Sequence, residues 1–293
     1  MAEAVPLDST WLRAHPLPAL DPNSDKNARG RVFVIGGSRR VPGGLLLTAE
    51  AALRAGAGKV QAAVPEGIAL ALGMTMPEIA VFASKETPSG EIALIDADAL
   101  TAMAKSDAII AGPAMSDSVM GGAMVDMLIE ASSHSQTLVI DAAALMELSH
   151  RSALLASRPS PAILTPHIGE MAAMLECDAA EIEADRAAAV RRAAELYGSI
   201  VALKGSLTLI ASPEDQLFAY AGGGVGLATG GSGDVLAGIA AGFASRRGEP
   251  LVAALWAIWL HGEAGRRCAE QIGPVGYLAR ELLTHIASLS QSI

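Results

Sequence analysis

Short apolar runs alternate with helical stretches along most of the chain. Residues 31–35 read Arg-Val-Phe-Val-Ile and run straight into Gly36-Gly37-Ser38, the pattern of a buried strand closed by a tight turn. Similar runs predict strands over 59–64, 108–111, 138–140, 162–164 and 199–203, and a hairpin over 208–211 and 217–221. Helical spacing predicts helices over 44–55, 117–131, 185–197, 232–245, 251–270 and 277–288. Residues 1–29 are rich in Pro, Asp and Asn and show no period, which predicts an extended arm. Strands that are apolar on both faces belong to a mostly parallel sheet covered by helices on both sides. No linker or internal repeat breaks the alternation, so the expectation is an N-terminal arm over 1–29 and a single α/β domain over 30–293. In such sheets the ligand lies beyond the carboxyl ends of the strands. The residues found there are Gly36-Gly37-Ser38, Gly112-Pro113, Asp141, His167 and Lys204, and they should surround one site.

Composition narrows the class. Of 293 residues, 51% are hydrophobic and 18% charged, which excludes a disordered chain. A net charge of −10 argues against a nucleic-acid surface. Aromatics are 3%, so Ala, Leu, Ile, Val and Met must fill the core, while 30 glycines let backbones approach closely. Cys177 and Cys268 form no CxxC pair, and both read as core or near-core residues rather than disulfide or zinc partners. No signal peptide is visible, and the longest strongly apolar stretch, 251–260, is far short of the roughly 20 residues of a membrane span. The expectation is a cytoplasmic protein with no membrane partner.

The sharpest motif is Ala228-Thr-Gly-Gly-Ser-Gly-Asp234, which leads directly into a helix. Successive glycine N–H groups can form a concave nest, and the helix N-terminus adds positive potential, so the segment suits phosphate oxygens. It matches neither GxxxxGK[ST] nor a strict GxGxxG. Asp234 could take a proton from a nucleophilic alcohol, or it could simply be a helix N-terminal acid favoured by the dipole. Leu164-Thr-Pro-His-Ile-Gly-Glu170 follows a strand, and His167 and Glu170 share one side of a turn. Glu170 could equally be a capping-box partner. Lys204-Gly-Ser-Leu-Thr208 offers a cation to phosphates, or only a turn.

Together these segments resemble the ADP-dependent NAD(P)H-hydrate dehydratase family of the ribokinase-like superfamily. Val34-Ile-Gly-Gly-Ser38, Ala51-Ala-Leu-Arg-Ala-Gly-Ala-Gly58, Ala111-Gly-Pro113, Val139-Ile-Asp-Ala142, Leu203-Lys-Gly205 and Leu260-His-Gly262 carry the likeness beside the motifs above. The resemblance implies a ribokinase-like fold and a repair enzyme. It would phosphorylate the ring hydroxyl of hydrated NADH or NADPH with ADP or ATP and then expel phosphate, leaving AMP from ADP. It implies Asp234 as catalytic base and substrate contact, with Gly44, Gly112 and His167 along the hydrate. Lys204, Gly205, Ser206, Leu207, Thr208 and Gly233 would hold the adenine nucleotide. Glu170 would serve Mg2+ indirectly, with Asp141 a second member of that network. It further implies a homotetramer and a separate hydrate epimerase.

The chain departs from the family pattern in several places. The usual G-P-G reads Gly112-Pro113-Ala114, and Gly-Ala-Ala reads Gly43-Gly44-Leu45. G-N-P-G reads Gly223-Gly224-Val225-Gly226, and Ile168 replaces a proline. Two other functions fit the same motifs: a small-molecule kinase of this superfamily, such as a vitamin-precursor kinase, and a non-catalytic nucleotide sensor.

Overall fold

The computed structural model describes residues 3–19, 21–116, 118–133 and 135–293. One half of the sheet begins with β1 (Val5–Pro6), β2 (Arg31–Ile35), β3 (Lys59–Pro65), β4 (Ala80–Glu86) and β5 (Ile92–Leu94). The other half follows in β6 (Ala108–Ala111), β7 (Thr137–Ile140), β8 (Ile163–Leu164), β9 (Ile200–Leu203), β10 (Thr208–Ala211) and β11 (Leu217–Tyr220). They form one 11-stranded sheet in the order β1-β11-β10-β9-β8-β7-β6-β2-β3-β4-β5. Pairing is parallel from β4 across to β9, and antiparallel at β4–β5, β9–β10 and β10–β11. After β2 the chain builds outward through β3 and β4; after β6 it builds the opposite way. The β2/β6 boundary is therefore the switch point where a crevice opens.

The period of two along β2 assigns its faces. Val32 and Val34 enter one core, Phe33 and Ile35 the other, and all four are buried. The first core is covered by α2 (Pro42–Arg54), α10 (Ser232–Ala244), α11 (Pro250–Gln271) and α12 (Ala279–Ser290). The second is covered by α4 (Ala97–Met103), α5 (Ser118–Ala131), α7 (Ile168–Leu175) and α9 (Arg186–Tyr197). Each fully buried Val, Leu or Ile contributes roughly 1.5–3 kcal/mol. The small residues do what their abundance suggested. A Cβ on Gly238 of α10 would stand 2.3 Å from the Thr48 carbonyl oxygen of α2, so the two helices approach backbone to backbone.

Most predicted elements stand within two residues of their expected ends. The hairpin over β10 and β11 forms in antiparallel register. The helix expected over 117–131 is α5, and Asp117 lies outside the described residues. Cys268 is buried and Cys177 half-buried, and both are free thiols. Among the described residues no helix is long and apolar enough to cross a membrane. One expectation fails: the arm is not merely extended. β1 adds a parallel edge strand beside β11, and α1 (Ser9–Ala14) docks on the first core. Leu7 and Leu12 are buried, Trp11 stacks on His15 at 4.0 Å, and Trp256 donates from Nε1 to the His15 carbonyl at 2.8 Å. Asp8 caps α1, accepting from the Thr10 and Trp11 N–H groups. The Pro- and Asp-rich composition hid three apolar residues that share one face.

Packing of α10 on α2 sets where the glycine-rich turn points. Gly238→Ala gains about 1 kcal/mol in helix propensity but must push α10 off the Thr48 carbonyl, at about 2–3 kcal/mol. The variant is expected to unfold at lower urea, with a net loss near 1–2 kcal/mol; an unchanged midpoint would contradict the close approach.

Candidate active site

Five strand ends converge at the switch point. Gly37 donates its N–H to the Pro113 carbonyl at 2.9 Å, and Gly112 donates to the Ile35 carbonyl at 3.1 Å, stitching β2 to β6. Gly112 has φ +104°, and a Cβ there would fall 2.0 Å from the Asp141 carbonyl, so only glycine fits. Asp141 ends β7, Thr165 ends β8 and Lys204 ends β9. Thr165 Oγ1 donates to Asp141 Oδ1 at 2.7 Å. Lys204 Nζ donates to the same oxygen at 3.0 Å and lies 3.7 Å from Glu170 Oε2. Burial alone would depress the Lys204 pKa, but Asp141 and Glu170 outweigh it and hold the ammonium above its usual range.

Asp234 occupies the first turn of α10, whose N-cap is Gly231 at φ +90°. A Cβ on Gly233 would sit 3.6 Å from both Asp141 Oδ2 and Lys204 Nζ, so the glycine turn faces that pair directly. The Gly233 and Asp234 N–H groups make no hydrogen bond among the described residues, which leaves them open to an anion. Burial, reinforced by the charge of Asp141, pushes the Asp234 carboxyl up to about 6, against the opposing pull of the Ala114 amide and Lys204. A half-buried carboxyl poised there is a suitable general base near neutral pH.

Gly44, in the first turn of α2, closes the other side. A Cβ at Gly44 would lie 2.8 Å from Ala114 Cβ and 3.0 Å from Asp234 Oδ2. Ala114 holds the left-handed φ of 56°, the position where the family pattern has glycine. One methyl fits between these walls, and here Ala114 supplies it.

His167 caps α7, accepting at Nδ1 from the Gly169 N–H at 3.0 Å and the Glu170 N–H at 3.3 Å. That puts any single imidazole hydrogen on Nε2, 3.4 Å from Glu170 Oε1. Glu170 Oε2 accepts from the His167 N–H at 2.7 Å, completing the capping box. The His167 side chain remains 59% exposed and so free to touch a ligand. Among the described residues no three His, Cys, Asp or Glu side chains gather as a metal cage. Asp141 and Glu170 already face Lys204, so the donor set fits Mg2+ only through water, with the ion carried by a nucleotide's phosphates.

Asp141, Glu170, Lys204, Gly233, Asp234 and Gly44 are thus brought together, with Gly112 and His167 at the edges. Ser206 and Leu207 lie on the turn between β9 and β10, and Thr208 is the first residue of β10. Sequence reasoning missed the group that braces this turn. Arg186, first residue of α9, points its guanidinium at the carbonyls of Leu207 (3.1 Å), Lys204 (3.3 Å) and Leu203 (3.5 Å). Its Ala- and Arg-rich surroundings read as an ordinary surface helix and carry no signal of that role.

Residues 32–288 match the NAD(P)H-hydrate dehydratase family. The chain belongs to that family. An ADP-dependent (S)-NAD(P)H-hydrate dehydratase from Xanthomonas campestris is 45% identical, the match covering 92% of this chain and 91% of that one. The bifunctional NAD(P)H-hydrate repair enzyme of Escherichia coli is 33% identical over 92% of this chain but 49% of its own length, so this dehydratase-family chain spans about half of it. A Bacillus subtilis ADP/ATP-dependent dehydratase, crystallised with ATP and Mg2+, superposes with a TM-score of 0.82 at 26% identity, covering 99% and 98% of the two chains. The ribokinase-like fold is shared as expected. A hydroxyethylthiazole kinase from Pyrococcus horikoshii aligns less well, with a TM-score of 0.52 at 21% identity over 90% and 89% of the chains, a likeness of fold alone.

The close wall at Gly44 yields a reciprocal test. Gly44→Ala is expected to displace Asp234 and lower kcat about tenfold or more, since small misplacements of a base are costly. Ala114→Gly added to that variant removes the competing methyl and should restore most of the loss. Failure of the second substitution to rescue the first would refute the shared space.

Proposed function

We propose that this chain repairs NADH and NADPH by dehydrating their (6S) hydrates, consuming ADP and releasing AMP and phosphate. A half-buried, pKa-raised carboxylate beside an unfilled N–H nest and a lysine carries this reading. Asp234 takes the proton of the ring hydroxyl as that oxygen attacks the terminal phosphorus of the nucleotide, and AMP leaves. Hydroxide is a poor leaving group and phosphate a good one. The ring nitrogen's lone pair then expels phosphate, and loss of a proton restores the double bond. Gly233 and Asp234 N–H groups and Lys204 receive the phosphate charge, while Gly205, Ser206, Leu207 and Thr208 form the turn along which the nucleotide lies. Gly44, Gly112 and His167 border the hydrate. Three carboxylates face one lysine, so a polyphosphate needs further positive charge. Mg2+ brought on the nucleotide would supply it, with Asp141 and Glu170 reaching it through water.

We further propose a cytoplasmic location and a separate epimerase that would convert the other hydrate epimer. We extend the reading to a homotetramer, for which the exposed Leu70 and Met74, one turn apart on α3 (Glu66–Thr75), provide apolar surface; sedimentation as a monomer would oppose it. The kinase alternative would leave phosphate on its product. Its fold relatives resemble this chain far less than the dehydratases do. A sensor would keep its function without the carboxylate of Asp234.

Incubating hydrated NADH with protein and ADP should restore absorbance at the reduced-nicotinamide band, more slowly with ATP and not without nucleotide. No recovery with either nucleotide would refute repair. Lys204→Ala should raise the Kd for ADP more than the KM for the hydrate; equal changes would contradict its phosphate role.

Asp234→Asn is expected to cut kcat by about 10²–10⁴ while ADP still binds, and wild-type kcat/KM should rise with pH through about 6. Its stability effect has a definite sign. The folded pKa, raised from 3.8 to about 6, penalises the ionised form in the folded state. Below pH 3.8 the carboxyl is protonated folded and unfolded, and above about 6 it is ionised in both with the penalty fully present. The variant should therefore be more stable than wild type by about 1–3 kcal/mol at pH 8 and little different at pH 3.5. Urea titrations at the two pH values check this, and equal differences at both would contradict the shift.

A further inference from the structure

The Leu260-His-Gly262 segment has no part in the chemistry derived so far, yet His261 lies directly behind the glycine turn. It is buried in α11, and its Nε2 stands 3.0 Å from Ser232 Oγ and 3.0 Å from the Ser232 carbonyl oxygen. A carbonyl only accepts. If Nε2 lacked a hydrogen, two lone pairs would face each other at that distance, so the hydrogen resides on Nε2 and points at Ser232. The Ser232 hydroxyl then accepts on that side, and its own hydrogen has no acceptor among the described residues. The Ser232 N–H is spent on the Thr229 carbonyl at 3.3 Å. Ser232 is the first residue of α10, directly before the open N–H groups of Gly233 and Asp234.

We propose that His261 is a positioning residue of this site: it clamps Ser232 through Nε2–H, and so aims the Ser232 hydroxyl and the first turn of α10 at a nucleotide's phosphate. The clamp stays uncharged in use. Burial pushes the imidazole down to about 4, and the nearby Lys204 ammonium disfavours its protonation further. The clamp acts through geometry alone, because His261 does not touch the reacting atoms.

The chemical part of this inference rests on the repair reading, and the binding part does not. The test uses full-length protein, with ADP affinity by calorimetry, repair kinetics and thermal unfolding for His261→Leu, His261→Gln and Ser232→Ala. His261→Leu removes the donor at similar volume and should weaken ADP about fivefold and lower kcat about tenfold, with the hydrate KM changed less than about twofold. His261→Gln places an N–H near the Nε2 position and should recover most of both losses. Wild-type ADP affinity and kcat in His261→Leu would overturn the proposal. So would equal losses in the Leu and Gln variants at matched Tm. Should His261→Leu not fold, Ser232→Ala and its double variant with His261→Asn, whose shorter amide cannot reach Ser232, decide instead. Losses smaller than the sum of the singles support one clamp, and additive losses overturn it. If wild type repairs no hydrate, the repair reading falls, and the ADP measurements still decide the clamp.

Discussion

The Lys204 ammonium, held between Asp141 and Glu170 at the sheet's carboxyl edge, is the contact on which the site depends. Three carboxylates within reach of one another would repel strongly in a half-buried crevice. The lysine offsets two of them, and the third, Asp234, keeps a raised pKa from burial and from the charge of Asp141. A carboxylate left in that condition is a better base than one fully paired. Thr165 adds a neutral donor to Asp141, fixing the oxygen that Lys204 also uses. A polyphosphate arriving there would meet a site already arranged around charge, with open N–H groups on one side and an ammonium on the other.

Small residues let those groups come together. Gly238 and Gly242 bring α10 onto α2 closely enough that Cβ atoms there would meet the Thr48 and Ala52 carbonyls at 2.3 and 2.7 Å. Both helices start at the site, α2 with Gly44 and α10 with Ser232 and Asp234, so their mutual distance sets the width of the crevice. Ala114, kept at φ 56°, then occupies the one methyl-sized space left beside Asp234. Tertiary packing evidently holds this alanine in a conformation worth about 1–2 kcal/mol less than its preferred ones.

Strand ends were the legible part of the sequence. Apolar runs closed by Gly36-Gly37, Gly112, Asp141, His167 and Lys204 become β2, β6, β7, β8 and β9, and four of those five ends line the crevice with β8 bringing His167 to its rim. A buried parallel strand must be apolar on both faces, so it announces itself locally. The strands at the sheet's margins did not: β4 fully buries only Ser84, β5 spans only Ile92–Leu94, and β1 is two residues long. The arm's docking depended on where Leu7, Trp11 and Leu12 land in space, which no window of sequence contains. Arg186 and His261 were illegible for the same reason. Each acts on residues at least 17 positions away, through carbonyls whose direction only the fold determines.

The net charge of −10 finds its physical sense in how the two edges of the sheet differ. Helices α2, α7 and α10 begin at the carboxyl edge, where their N-termini favour anions. At the opposite edge α4, α5 and α10 end around a concavity of about 540 Å³ lined by Arg31, Lys105, Arg247 and Asp107. The two arginines of that hollow are already engaged. Arg31 and Arg247 both pair with Asp107, and the helix C-termini gathered there leave carbonyls that attract positive charge. Free N–H groups, a raised carboxyl and an ammonium coincide only where helices begin, so an acidic protein can bind an acidic ligand at one edge while its surface repels polyanions elsewhere.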